Sequence, residues 1–172
     1  MKTPTGDPLQ PGSVAPDFML CDQESATHAL ADYRGNWVLL CFYPHDTVVK
    51  CAKEILAIRD HFEEFKKLGI RMFGISTDSV ENHKQFSDAN KLPFPLLSDA
   101  DTNVAQQYHA LAREQFFDDS DEIKQMSFLI NVAGEIEKIY QHIKPGQHAN
   151  EVLADFVKMQ QRDGEEKESI EI

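Results

Sequence analysis

A chain of 172 residues, 41% hydrophobic and 27% charged, has the size and composition of one globular domain that holds a core without disulfides or a structural metal. Its formal net charge of −12 repels a phosphate backbone and an anionic bilayer, which argues against nucleic acid or membrane as a partner. The longest apolar run, 37–43, is too short to span a bilayer, and the polar, proline- and glycine-rich start has no apolar signal region, so a cytoplasmic protein is expected.

Residues 1–11 read as a loose entry, and 18–20 as a first short strand followed by Cys21. Val38, Leu39, Leu40, Cys41, Phe42 and Tyr43 form an unbroken apolar run that stops at Pro44. That length and bounding predict a strand buried on both faces. Residues 45–50 form a short loop. Ile55, Ile58, Phe62, Phe65 and Leu68 then recur at helical spacing and predict one long helix. Glu54 suits its first turn, Lys66 and Lys67 its last, and Gly69 its left-handed cap. A strand over 70–76, a helix over 79–90, a short strand around Leu96 and a short helix over 102–108 follow. Residues 113–125 are charged and irregular, an exposed insertion. The segments 126–131 and 135–142 form a hairpin across Val132, Ala133 and Gly134. A last helix over 147–160 turns Val152, Leu153, Phe156 and Val157 inward, and the acidic stretch 161–172 reads as a solvated tail. The domain therefore spans 12–160. The element order gives an α/β fold, a central mixed sheet flanked by helices, and suits a thioredoxin-like sheet. Other small α/β folds share that periodicity.

The three cysteines, Cys21, Cys41 and Cys51, form no CxxC pair and no Cys/His cluster of zinc spacing. No disulfide framework, metal or cofactor is expected, and at least one thiol is free. Cys51 lies between the C-terminal end of a buried strand and the N-terminus of a helix, where open α/β sheets place ligands. The helix dipole, with Lys50 and Lys53 alongside, favours a thiolate there. The competing reading is a small core residue. Cys41, inside the apolar run, reads as buried and inert. Cys21 reads as a structural or incidental surface thiol, with a resolving or regulatory role as the alternative. His45 and Asp46 are near Cys51 but read as solvated loop residues, and Thr77–Asp78 as a helix start.

At this point the residues resemble a known family. Gly12-Ser-Val-Ala-Pro-Asp-Phe18 is similar to the entry segment of peroxiredoxins. Asp32-Tyr-Arg-Gly35 followed by Val38 to Pro44 resembles their first core strand, and Phe42-Tyr-Pro44 precedes Cys51 at the family's spacing. Gly74-Ile-Ser-Thr-Asp-Ser-Val80, Leu92-Pro-Phe-Pro-Leu-Leu-Ser-Asp99, Ser127-Phe-Leu-Ile130 and Lys144-Pro-Gly-Gln-His148 resemble the bacterioferritin-comigratory-protein (PrxQ) group of the AhpC/TSA family. The resemblance runs from Gly12 to Phe156. It implies a thioredoxin-like fold, with Cys51 as the thiolate that attacks peroxide and becomes a sulfenic acid. Pro44 would shield the pocket.

Two of the family's pocket positions differ here. Val48 stands where a threonine would hydrogen-bond the peroxide, and Gln125 where an arginine would stabilise the thiolate. Thr47 is one residue early, and Arg113 is a second candidate cation. Lys50 completes the expected pocket. Losing one preorganised donor typically costs ~10²–10³ in rate, so slow or absent peroxidase activity is expected. Leu56 occupies a resolving-cysteine position, and 79–90 holds no cysteine, so the resemblance implies a one-cysteine cycle. Thioredoxin, glutaredoxin or glutathione would reduce the sulfenic acid, and the protein would be a monomer or weak homodimer. The alternative is a catalytically degenerate redoxin acting as a redox sensor or binding module. A thioredoxin-type disulfide reductase is weakest, since Val48 and Glu54 stand where a CxxC partner would be.

Overall fold

The computed structural model describes residues 7–112 and 122–170. The chain runs through β1 (Met19–Cys21), β2 (Thr27–Ala29), a 3₁₀ turn (Leu30–Tyr33), β3 (Trp37–Phe42), α1 (Val49–Asp60) and α2 (Phe62–Lys67). It continues through β4 (Ile70–Ser76), α3 (Val80–Asn90), β5 (Leu96–Ser98), α4 (Asn103–Gln107), β6 (Leu111–Ala112), β7 (Glu122–Ile123), β8 (Met126–Ile130), β9 (Ile136–Tyr140) and α5 (His148–Ile170).

Five strands form the central sheet in the order β5-β4-β3-β8-β9. β3 lies parallel to β4 and antiparallel to β8, so the sheet is mixed and β3 is its middle strand. This is the architecture expected from the sequence, a parallel βαβ unit joined to an antiparallel pair. Alternate residues of β3 feed two cores. Val38, Leu40 and Phe42 pack with Phe18, Phe73, Tyr108 and Phe128 on one face. Leu39, Cys41 and Tyr43 pack with Ile55, Ile58, Phe65, Val152 and Phe156 on the other. Helical cover on that second face is what makes the strand apolar along its whole length.

The structure departs from the sequence reading at several elements. The long helix is two. The backbone breaks at His61 (φ −103°, ψ 8°), and Phe62 opens α2. The apolar spacing runs through the break because both pieces rest on one sheet face. α1 begins at Val49, two residues before Cys51, so the loop is shorter than 45–50 and Glu54 lies beyond the first turn. α5 continues to Ile170, through most of the stretch read as a tail, and residues 160–170 are exposed. Cys21 ends β1 rather than following it. β1 answers to the first short strand read at 18–20, whereas β2, β6 and β7 carried no readable pattern. β6 precedes the stretch read as an exposed insertion, but β7 lies inside it and buries Ile123 in the core; Arg113 lies outside the described residues. Gly69 does take the left-handed backbone expected of it (φ 74°).

One glycine shapes the site's floor. A Cβ built on Gly74 of β4 would come within 2.8 Å of Leu96 Cδ2 and 3.1 Å of Tyr43 Cε1. Tyr43 therefore lies over β4 only because position 74 has no side chain. Gly74→Ala is expected to destabilise the domain by about 1–2 kcal/mol through overpacking, measured by urea unfolding.

Candidate active site

β3 delivers the chain to the candidate site. After Tyr43, whose N–H donates to the carbonyl of Ile75 (3.0 Å), the chain passes Pro44 and enters α1. Val48 is the residue before α1. It has no side-chain oxygen to cap the helix and is 37% exposed. Val49, Thr47, Lys50 and Lys53 are also exposed. Cys51, one turn in, is 2% exposed and packs with Tyr43 and Ile55.

That burial reverses the expectation of an activated thiol. Loss of solvent pushes the Cys51 thiol above its ordinary value; the backbone N–H of His45 works the other way, and the carboxylates of Glu122, Asp78 and Asp46 push it further up. The helix terminus favours a thiolate, and burial with the flanking carboxylates opposes it; the net direction is upward.

Gln125 immediately precedes β8, whose Met126 pairs with Phe42. The sheet register thus brings Gln125 beside the end of β3, the side from which the resemblance expects an arginine. Its Nε2 is buried and has no hydrogen-bond partner. Glu54, one turn after Cys51, is buried as well. Its Oε2 accepts from the Gly146 N–H (3.2 Å), and its Oε1 has no partner. Burial lifts its carboxyl from 4.5 to about 7. Cys41 is buried in β3, and its thiol is pushed up to about 12, mainly by burial. Cys21 is exposed, and all three thiols are free.

Sequence reasoning missed a buried polar network beside the thiol. Asp46 is not a solvated loop residue. Its Oδ1 accepts from the Tyr43 hydroxyl (2.6 Å), its Oδ2 from His83 Nδ1 (2.7 Å), and its N–H donates to Asp78 Oδ2 (2.9 Å). Asp78 also accepts from the Ser76 hydroxyl, and its carbonyl accepts from Ser98 (2.6 Å). Asp78 therefore serves this network, and the helix start read there belongs to Ser79, whose Oγ caps α3 by accepting from Asn82 N–H (3.1 Å). Asp46, Asp78 and His83 each bring a donor atom within 4.8 Å of the others, a spacing compatible with a cation. The Asp46–His83 contact argues for a hydrogen bond, since ligand distances of ~2.0–2.2 Å hold two donors of one ion farther apart than 2.7 Å. No signal in the sequence joined position 46 to position 83.

A free thiol at the strand–helix junction of a thioredoxin-like mixed sheet, without a CxxC partner, defines a thiol-based oxidoreductase. The AhpC/TSA family model matches residues 11–139. Peroxiredoxin Bcp of Escherichia coli is 36% identical over 148 residues, which cover 86% of this chain and 95% of that protein. The crystal structure of peroxidoxin BcpB from Mycobacterium tuberculosis superposes with a TM-score of 0.79 at 28% identity, covering 87% of this chain and 97% of that one. A Cys-to-Ser mutant of Xylella fastidiosa PrxQ superposes with a TM-score of 0.83 at 25% identity, covering 90% and 99%. The chain belongs to the AhpC/TSA family, among the Bcp and Q peroxiredoxins. Among the described residues no helix is long and apolar enough to cross a membrane.

Two measurements probe these ionisations. Alkylation of Cys51 by iodoacetamide should still be rising with pH beyond the ordinary thiol range, and a plateau near neutrality would contradict a buried, carboxylate-flanked thiol. For Glu54 the folded state holds the proton more tightly than the unfolded chain. Its stabilisation is therefore complete below 4.5 and lost as pH rises through about 7. Glu54→Gln should add about 2 kcal/mol of stability at pH ~8 and almost none at pH ~4, read from thermal or urea unfolding.

Proposed function

We propose that the protein is a slow, one-cysteine thiol peroxidase acting through Cys51. The observation that supports this best is the position of Cys51 at the strand–helix junction in a chain of this family. Its thiolate sulfur attacks one peroxide oxygen and the O–O bond breaks. The other oxygen leaves as hydroxide or alkoxide and takes a proton, and Cys51 becomes a sulfenic acid. An external thiol, from thioredoxin, glutaredoxin or glutathione, then forms a mixed disulfide and releases water. A second thiol frees Cys51. Cys41 is buried and weakly acidic, and Leu56 lies one turn beyond Cys51, so neither favours an internal disulfide. A related protein from Xanthomonas campestris, 26% identical, is described for its alkyl peroxide reduction activity, and alkyl hydroperoxides are the substrates to try beside hydrogen peroxide. Pro44, Val48, Lys50 and Gln125 line the proposed pocket, which works in the cytoplasm as a monomer or weak homodimer.

A second reading is favoured by the raised thiol, the unhydroxylated Val48 and the uncharged Gln125: a redoxin that senses or binds and turns over little. Stopped-flow oxidation by peroxide separates the two. The native protein should form sulfenic acid on Cys51 faster than free cysteine does, and Cys51→Ser should remove it. Val48→Thr with Gln125→Arg should raise the rate by about 10²-fold or more. A native rate no faster than free cysteine would favour the second reading.

A further inference from the structure

The segment 44–48 leaves the sheet and starts α1, and it brings the His45 backbone N–H and the Asp46 carboxylate to Cys51. Asp46 is its one buried residue, and the helix it leads into has no side-chain cap. The segment is therefore held from its middle. Asp46 reaches Tyr43 at the end of β3, Asp78 after β4 and His83 on α3. His83 is 0% exposed, and its Nε2 lies 3.2 Å from the carbonyl of Leu97 on β5 and 3.4 Å from Ser76 Oγ. Both ring nitrogens thus face acceptors, and the imidazole bridges the segment to the adjacent parallel strands. Nδ1 serves the Asp46 carboxylate, and Nε2 faces the Leu97 carbonyl and Ser76 Oγ. Removing the imidazole leaves Asp46 with Tyr43 and its own backbone tie to Asp78.

We propose that His83 is a positioning residue for the Cys51 reaction: through Asp46 it holds segment 44–48 closed, and so sets how far water and reagents reach the sulfur. This rests on the reading of Cys51 as the reacting thiol. The groups facing that thiol are His45 N–H and the carboxylates of Asp46, Asp78 and Glu122; those facing His83 are the carboxylates of Asp46 and Asp78, the Ser76 hydroxyl and the Leu97 carbonyl. When the clasp is absent the segment opens locally, Cys51 regains solvent, and its thiolate fraction grows.

The test is iodoacetamide alkylation across pH, with mass spectrometry to separate the cysteines. Cys41, buried in the middle strand, reports global unfolding in the same sample. His83→Leu should raise the alkylation rate of Cys51 at neutral pH by about tenfold or more and move its pH midpoint down by about one unit, with Cys41 unlabelled. Asp46→Ala with His83→Leu removes both partners, leaves no unpaired buried charge and should give the same result. His83→Gln, which keeps one N–H donor, should label within about threefold of the native rate. The proposal is overturned if Cys51 labelling in the double variant stays within about twofold of native. It is equally overturned if Cys41 and Cys51 become labelled together, since the pair then holds the whole domain and not the segment. Alkylation reads the setting of Cys51 whether or not peroxide is consumed. Failure of the peroxidase reading therefore shows separately, as undiminished peroxide consumption by Cys51→Ser.

Discussion

β3 is buried on both faces and hydrogen-bonded along both edges, to β4 in parallel and to β8 antiparallel. Its backbone polar groups have no route to water, so the strand exists only as the middle of a sheet covered on both faces. The rest of the molecule follows from that requirement. α1, α2 and α5 cover the face of Leu39, Cys41 and Tyr43, and α4 with the segments around Phe18 and Tyr108 covers the other. A strand so constrained is a fixed platform. What leaves its C-terminal end, Pro44 to Cys51, starts from a position that cannot drift. Tyr43 rests in the space left by the missing side chain of Gly74, and its hydroxyl is aimed at Asp46.

The chemistry of the thiol is governed by the same burial. A cysteine at a helix N-terminus is commonly an activated nucleophile, because the dipole and nearby cations outweigh partial desolvation. Here Lys50 and Lys53 are exposed, where charge is screened, and the charges acting on the sulfur are carboxylates. Gln125 supplies no charge to offset them. The peroxidase reading and the degenerate reading differ only in whether local opening and the His45 N–H yield enough thiolate for turnover.

Two buried polar systems flank the thiol with opposite character. On one side Asp46, His83, Asp78, Ser76 and Tyr43 satisfy one another and tie three elements together. On the other side Glu54 Oε1 and Gln125 Nε2 are left without partners. Satisfied buried networks rigidify, and orphaned groups carry the full cost of lost hydration, about 1–3 kcal/mol each. The site is thus held firmly where the segment meets α3 and carries unpartnered polar atoms at Glu54 and Gln125.

The sequence by itself determined the elements whose patterns are local. The apolar run of β3, the β4 and α3 segments, the β8–β9 hairpin and the left-handed Gly69 are all legible, because each depends on neighbours a few residues away. So was the placement of Cys51 at a strand–helix junction. The tertiary structure alone decided the ionisation of the thiol, since desolvation depends on what the fold stacks over the sulfur and not on the residues beside it in the chain. It also decided the break at His61, where two helical pieces share one face and hence one periodicity. Above all it decided the clasp between Asp46 and His83, residues 37 apart in sequence that meet because β3 and β4 are parallel neighbours and both deliver their following loops to the same end of the sheet.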